Sequence, residues 1–258
     1  MSQYLFSQFK NNEFKNLYHQ LAQVFTISQN QISEFYETMR KEFEEEGCTK
    51  HTFSRNIFHS SNESFQQLYD NAWIIGVDIP SILERNDQTL NKKTIAILGQ
   101  DPRRQSDTRV EEIEIATPYA LHSKYCREKH HSTRLYFDLI QVLLDNGYRV
   151  YLTDVLKIWI SQDNNGKHSI PLIKQERERF RKILQLELEI FEPLAVITWG
   201  KVANKAVHSL DSSIKHLEFP HPSPANHHSW TKIMGKPSTR TNRIEYWQEE
   251  VLPLLNNL

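Results

Sequence analysis

Two cysteines in 258 residues, Cys48 and Cys126, cannot supply a four-thiolate zinc or iron–sulfur site, and they form no Cys-x-x-Cys pair. Nor do they build a disulfide framework, so a reducing cytoplasm is the expected compartment. No apolar run approaches the ~18 residues of a membrane span. The opening MSQYLFSQFKNNEF lacks an apolar stretch followed by a small-residue cleavage site, and no secretory signal is expected. The formal net charge is −1, which leaves any attraction to nucleic acid to local patches. There is no HExxH, P-loop or GxSxG elbow, and the adjacent His227 and His228 cannot act as facing helical ligands. No metal or cofactor is expected.

What is present is a chain with 38% hydrophobic and 24% charged residues, long enough to bury a core without disulfides or structural metal. Residues 1–91 read as a mostly helical N-terminal extension. Ser28 can cap a helix whose Ile32, Phe35, Tyr36, Met39 and Phe43 recur on one face. A second helix is expected after Ser61 or Asn62, with Phe65, Leu68, Tyr69 and Trp73 on one side. This region carries no motif with attached chemistry and serves as packing or as a partner surface.

From residue 92 to 258 strands alternate with helices. Strands are expected at 95–98, 149–155, 194–199 and 214–219, with helices opening at Ser132, Gln175, Gly200 and about Asn242. The alternation implies an α/β domain, a three-layer sandwich around a mainly parallel four-stranded sheet. Ligands in such sheets bind beyond the carboxyl ends of the strands. Those ends are Gly99-Gln100-Asp101-Pro102, then Thr153-Asp154, then Trp199-Gly200, then His221-Pro222-Ser223-Pro224. A carboxylate, a glycine and a histidine thus converge on one rim.

GQDP at 99–102 and HPSP at 221–224, in order and at matching strand ends, resemble the two signature motifs of the uracil-DNA glycosylase superfamily, most of all its uracil-excising branch. HHSTRLYFDLI at 130–140 is similar to the loop that opens that family's next helix, and ITWGKVANKAV at 197–207 to its tryptophan–glycine strand end. The resemblance covers residues 92–258. It implies a metal-independent, monofunctional DNA glycosylase of base repair, acting on a single-stranded or flipped nucleotide. Cleaving a base from deoxyribose builds positive charge on the sugar and negative charge on the base. A carboxylate and a hydrogen-bond donor on opposite sides stabilise the two. These roles map to Asp101 and His221. Gln100 maps to the residue whose backbone holds the base. Ser132 and Ser223 map to phosphate contacts, with Gly200 and Lys201 beside them at the third strand's end.

Departures from the motif fall in the base pocket. Arg103 and Arg104 stand where the family keeps Tyr-His, whose tyrosine excludes methylated bases, and they read equally as phosphate ligands or ion-pair partners. The base-reading asparagine maps to Thr153 or Asp154, of which one faces the pocket because strand neighbours alternate. The stacking phenylalanine maps near Ile115, with Tyr119 as a nearby aromatic. The wedge leucine is replaced by Ala225, leaving Trp230 to assist flipping. Basic residues at 122–134 (Lys124, Arg127, Lys129, Arg134) and 227–243 (Lys232, Lys236, Arg240, Arg243), interleaved with Tyr125 and Trp230, are expected to meet DNA phosphates. The alternative reading is a non-catalytic member that binds nucleic acid or a nucleotide in the same cleft. An interaction module working through its N-terminal helices is a third.

Overall fold

A computed structural model describes residues 3–47, 51–87, 93–106, 111–131, 133–210 and 213–258. In chain order it runs β1 (Tyr4–Phe6), α1 (Asn11–Leu21), α2 (Gln29–Glu44), β2 (Thr52–Ser54), α3 (Glu63–Asp70), β3 (Ile74–Asp78), β4 (Ser81–Arg85), β5 (Thr94–Gly99), β6 (Glu112–Ala116) and α4 (Lys124–Glu128). It continues through α5 (Arg134–Asp145), β7 (Arg149–Asp154), β8 (Ile158–Ser161), α6 (Lys174–Phe191), β9 (Ala195–Trp199), α7 (Lys201–His208), β10 (Lys215–Phe219), α8 (His227–Met234), α9 (Arg240–Tyr246) and α10 (Leu252–Asn256). Among the described residues no helix is long and apolar enough to cross a membrane.

The main sheet has the order β1-β4-β7-β5-β9-β10. Its four parallel strands, β7-β5-β9-β10, are those expected from the sequence. Two antiparallel strands, β4 and β1, extend one edge. A second sheet, β2-β6-β3-β8, draws strands from both sides of residue 91. Among its described residues, the segment before residue 92 therefore holds three helices, α2 and α3 where periodicity predicts them and α1 in addition, and four strands that its short apolar runs do not announce. Ser28 closes a capping box with Gln31 at the start of α2, and Asn62 caps α3.

Helix α6 covers one face of the main sheet, where Phe191 stacks on Tyr151 of β7 with ring centroids 3.9 Å apart. Helix α1 packs on α6. Helix α5 packs on β4 and β7. The last helical segment is a single run from α9 to α10 interrupted by a π turn, Trp247–Val251. That turn seats Trp247 in the core against Trp199, Phe219 and Trp230.

Candidate active site

The carboxyl ends of β5, β7, β9 and β10 open on one cavity of about 640 Å³. Three backbone hydrogen bonds assemble its floor. The turn after β7 donates from Val155 N–H to the Gly99 carbonyl (3.1 Å) and from Leu156 N–H to the Gln100 carbonyl (3.0 Å). Asp78 N–H, at the end of β3 in the second sheet, donates to the Lys157 carbonyl (3.2 Å). Beneath the turn, Lys157 Nζ reaches Glu187 of α6 at 2.8 Å, with both side chains fully buried, and also donates to Thr153 Oγ1 and the Asp154 carbonyl, each at 2.6 Å.

Asp101 lines the cavity one turn beyond β5. Gln100 Nε2 donates to its Oδ2 at 2.7 Å. Burial raises the Asp101 pKa above the ordinary aspartate range, opposed by that hydrogen bond and by Arg103. Gly99 is required because a Cβ there would fall 2.2 Å from Asp154 Oδ1 and 2.5 Å from Tyr119 Oη. The glycine lets these two side chains close over the strand end.

His221 lines the same cavity at the end of β10. Ser223 N–H donates to its Nδ1 at 3.2 Å, and burial pushes the imidazole pKa down to about 4. The ring is therefore neutral near pH 7 with its proton on Nε2, a donor without charge. Trp230 Nε1–H and Arg243 fix the turn by donating to the His221 and Pro222 carbonyls at 3.1 and 2.5 Å. Gly200, with φ +99°, turns the chain from β9 into α7 and leaves ordinary contact with His221. Its backbone angle, more than crowding, demands glycine.

Asp154 and Thr153 point to opposite faces of β7. Thr153 faces α6 and donates to Glu187 at 3.1 Å, away from the cavity. Asp154 faces the cavity beside Asp78 and Tyr119. Burial, reinforced by Asp78 and Asp101, pushes the Asp154 pKa well up. Arg104 pairs with Asp78. Burial raises the pKa of Asp78 too, although Arg104 opposes it. Asp154 is thus pushed toward the protonated form, and a protonated carboxyl there can donate as well as accept.

The sequence-derived set separates cleanly. Gln100, Asp101, Arg103, Arg104, Tyr119, Asp154, Gly200, Lys201, His221 and Ser223 line the cavity. Ile115 is a core residue of β6, and Ala225 is exposed on the short turn after HPSP. Neither belongs to the cavity wall. Ser132 lies outside the described residues; Thr133 occupies the start of α5. Trp230 is fully buried and unable to wedge into a base stack. The basic segments are also thinner than their sequence implies. Buried Arg127 donates to the Leu121, His122 and Phe43 carbonyls, Lys236 pairs with Glu245, and Arg240 pairs with Asp138.

Sequence reasoning missed two residues. Asp78 ends a strand of the other sheet and carries no motif. Tyr136 on α5 stacks on Tyr119 with centroids 4.4 Å apart and lies 5.6 Å from the His221 ring. Its place in the quoted HHSTRLYFDLI stretch was the available signal. Tyr119 holds φ +62°, a strained backbone that aims its ring into this cluster.

No curated protein sequence matches the chain. A family model described as the uracil DNA glycosylase superfamily matches residues 87–249, well over half of the 258 residues. That span contains both signature turns and every parallel strand beneath the cavity, and by this match the chain belongs to the uracil-DNA glycosylase superfamily.

Proposed function

We propose that the chain hydrolyses the N-glycosidic bond of uracil or another modified base in a single-stranded or flipped deoxynucleotide of DNA. The observation that carries this reading is the pairing of Asp101 with a neutral, Nε2-protonated His221 on one cavity. Water forms the new bond to the sugar C1′ and passes a proton to Asp101. The glycosidic electron pair leaves with the base, where the His221 Nε2–H meets the developing oxyanion. Water is the nucleophile, no metal takes part, and an intact abasic site is the product. Tyr119 and Tyr136 supply aromatic surface beside the base, and the neutral Asp154 carboxyl supplies a donor and an acceptor for its edge. Ser223 and Lys201 stand on the rim where a phosphate would pass.

Incubation with single-stranded oligonucleotides carrying uracil, hypoxanthine, xanthine or alkylated bases tests the proposal. Abasic product from at least one is expected, and its absence from all would overturn the enzymatic reading. The second reading, a non-catalytic binder of nucleic acid or nucleotides, draws on Arg103, where the family keeps its tyrosine filter, and on Arg104 beside it, which is paired with Asp78. Salt-sensitive DNA binding without turnover is its signature.

A further inference from the structure

Strand β10 and helix α7 carry a second cluster, none of whose side chains lines the cavity. Among the described residues, His208, His216 and Glu218 bring three potential ligand atoms within 4.8 Å of one another. His216 and Glu218 alternate onto one face of β10, while Asn204 and His208 share one face of α7 by their four-residue spacing.

A chain of hydrogen bonds fixes where the protons lie. Asn204 Nδ2 donates to Glu218 Oε2 at 2.8 Å, which leaves Asn204 Oδ1 as an acceptor. Thr198 on β9 gives its one hydroxyl proton to that oxygen, at 2.5 Å. Thr198 Oγ1 then has only lone pairs to offer His216 Nε2, 2.8 Å away, so that nitrogen carries the hydrogen. The Nδ1 of the neutral ring is consequently a bare lone pair, and it faces Glu218 Oε1 at 4.0 Å. Two acceptors oppose each other with no proton between them. His208 Nε2 completes the group 2.6 Å from the same carboxylate oxygen, and the two imidazole rings stand edge to face with centroids 5.0 Å apart.

We infer that His208, His216 and Glu218 form a binding site for a zinc-class divalent cation. Two imidazoles and a carboxylate suit a borderline transition metal and leave a fourth position for water. Ligands about 2.0–2.2 Å from one ion lie a little over 3 Å apart in a tetrahedron, so small side-chain rotations close the site. The ion takes the place of the proton shared by His208 and Glu218. Thr198 behind His216 and Asn204 behind Glu218 act as the outer partners that hold ligand orientation. His208, 62% exposed at its side chain, is the gate through which the ion enters. The bound ion clips the end of α7 to the edge strand that leads into His221.

The test is calorimetric titration of zinc chloride into the full chain after chelator dialysis, with thermal unfolding in parallel. One ion per chain is expected, with a melting temperature that rises with zinc concentration. His208→Ala, at an exposed position, and Glu218→Gln should each raise Kd at least tenfold and cancel the thermal shift, while unfolding in chelator shows that both variants fold. Thr198→Val, which frees the His216 tautomer without removing a ligand, should weaken binding about tenfold. A His227→Ala, His228→Ala double variant should bind as the wild type does. Absence of stoichiometric binding, or binding unchanged in both His208→Ala and Glu218→Gln, would overturn the inference.

Discussion

The backbone N–H of Ser223 donates to Nδ1 of His221 at 3.2 Å, so a two-residue turn decides which ring nitrogen carries the proton. Because burial also holds that imidazole neutral down to about pH 4, His221 does not need to titrate to act as a donor. The pH profile of kcat/KM is therefore expected to carry no limb near pH 6.5 that belongs to His221. The acid limb should instead follow Asp101, which must be ionised and whose pKa burial raises. Activity should thus fall as pH drops through that raised value. A single limb centred near 6.5 and lost in His221→Gln would contradict this assignment.

Asp101→Asn should lower kcat by about 10²–10⁴-fold while leaving the urea midpoint near that of the wild type, because the amide fits the same space. Single-turnover release of abasic product measures the first, and fluorescence-detected unfolding the second. Near-normal turnover would mean that the carboxylate role is misassigned.

Gly99→Ala puts a methyl group where Asp154 Oδ1 and Tyr119 Oη already lie. Overpacking of this kind costs about 1–3 kcal/mol, and relief requires both side chains to leave the cavity wall. A lower urea midpoint and an activity loss of about tenfold or more are expected together. Full activity in the variant would show that Asp154 and Tyr119 do not shape the base pocket.

Lys157 and Glu187 are fully buried partners. Lys157→Met should destabilise by about 3–5 kcal/mol, since Glu187 is left without its counter-charge. Adding Glu187→Leu should recover much of that loss. Equal stability of the single and double variants would show that the ion pair does not govern the site's floor.

His122 is buried against Thr117 and Arg127, near the Glu42–His51 pair, and its pKa is pushed down to about 4. The unfolded chain takes up this proton below about pH 6.5 and the folded chain only near 4, so stability falls as pH drops through that window. The cost attributable to His122 between pH 7 and pH 5 is about 2 kcal/mol. The same pH shift in His122→Gln should destabilise by that much less, read from urea midpoints at the two pH values. Opposing contributions from the buried carboxyls cancel in the comparison.

The parallel half of the fold was legible because each of its strands is a short apolar run ending in glycine, proline or a polar residue. Asp101 and His221 were legible because their turns are contiguous motifs. Asp154 was not separable from Thr153, because alternation says that one faces the cavity without saying which. The choice came from α6, whose Phe191 and Glu187 claim the Tyr151 and Thr153 side of β7. Asp78 was invisible for a related reason: it belongs to a strand of another sheet, and only the fold brings it to Arg104. Trp230 illustrates the opposite error, since an aromatic among lysines and arginines reads as a DNA contact until its burial is known.

The turn at 155–157 ties Gly99, Gln100 and Asp78 into one hydrogen-bonded knot that spans two sheets. Its consequence lies in the time domain. The amides of Val155 and Leu156 tie the turn to the end of β5, and that of Asp78 ties it to the second sheet, so slow hydrogen exchange is expected at all three. Asp101, the carboxylate proposed to react, follows directly on that knot through Gln100. On that proposal, adjustment to a strand of nucleic acid would fall to Lys201 and Ser223, which line the cavity and take no part in these three hydrogen bonds.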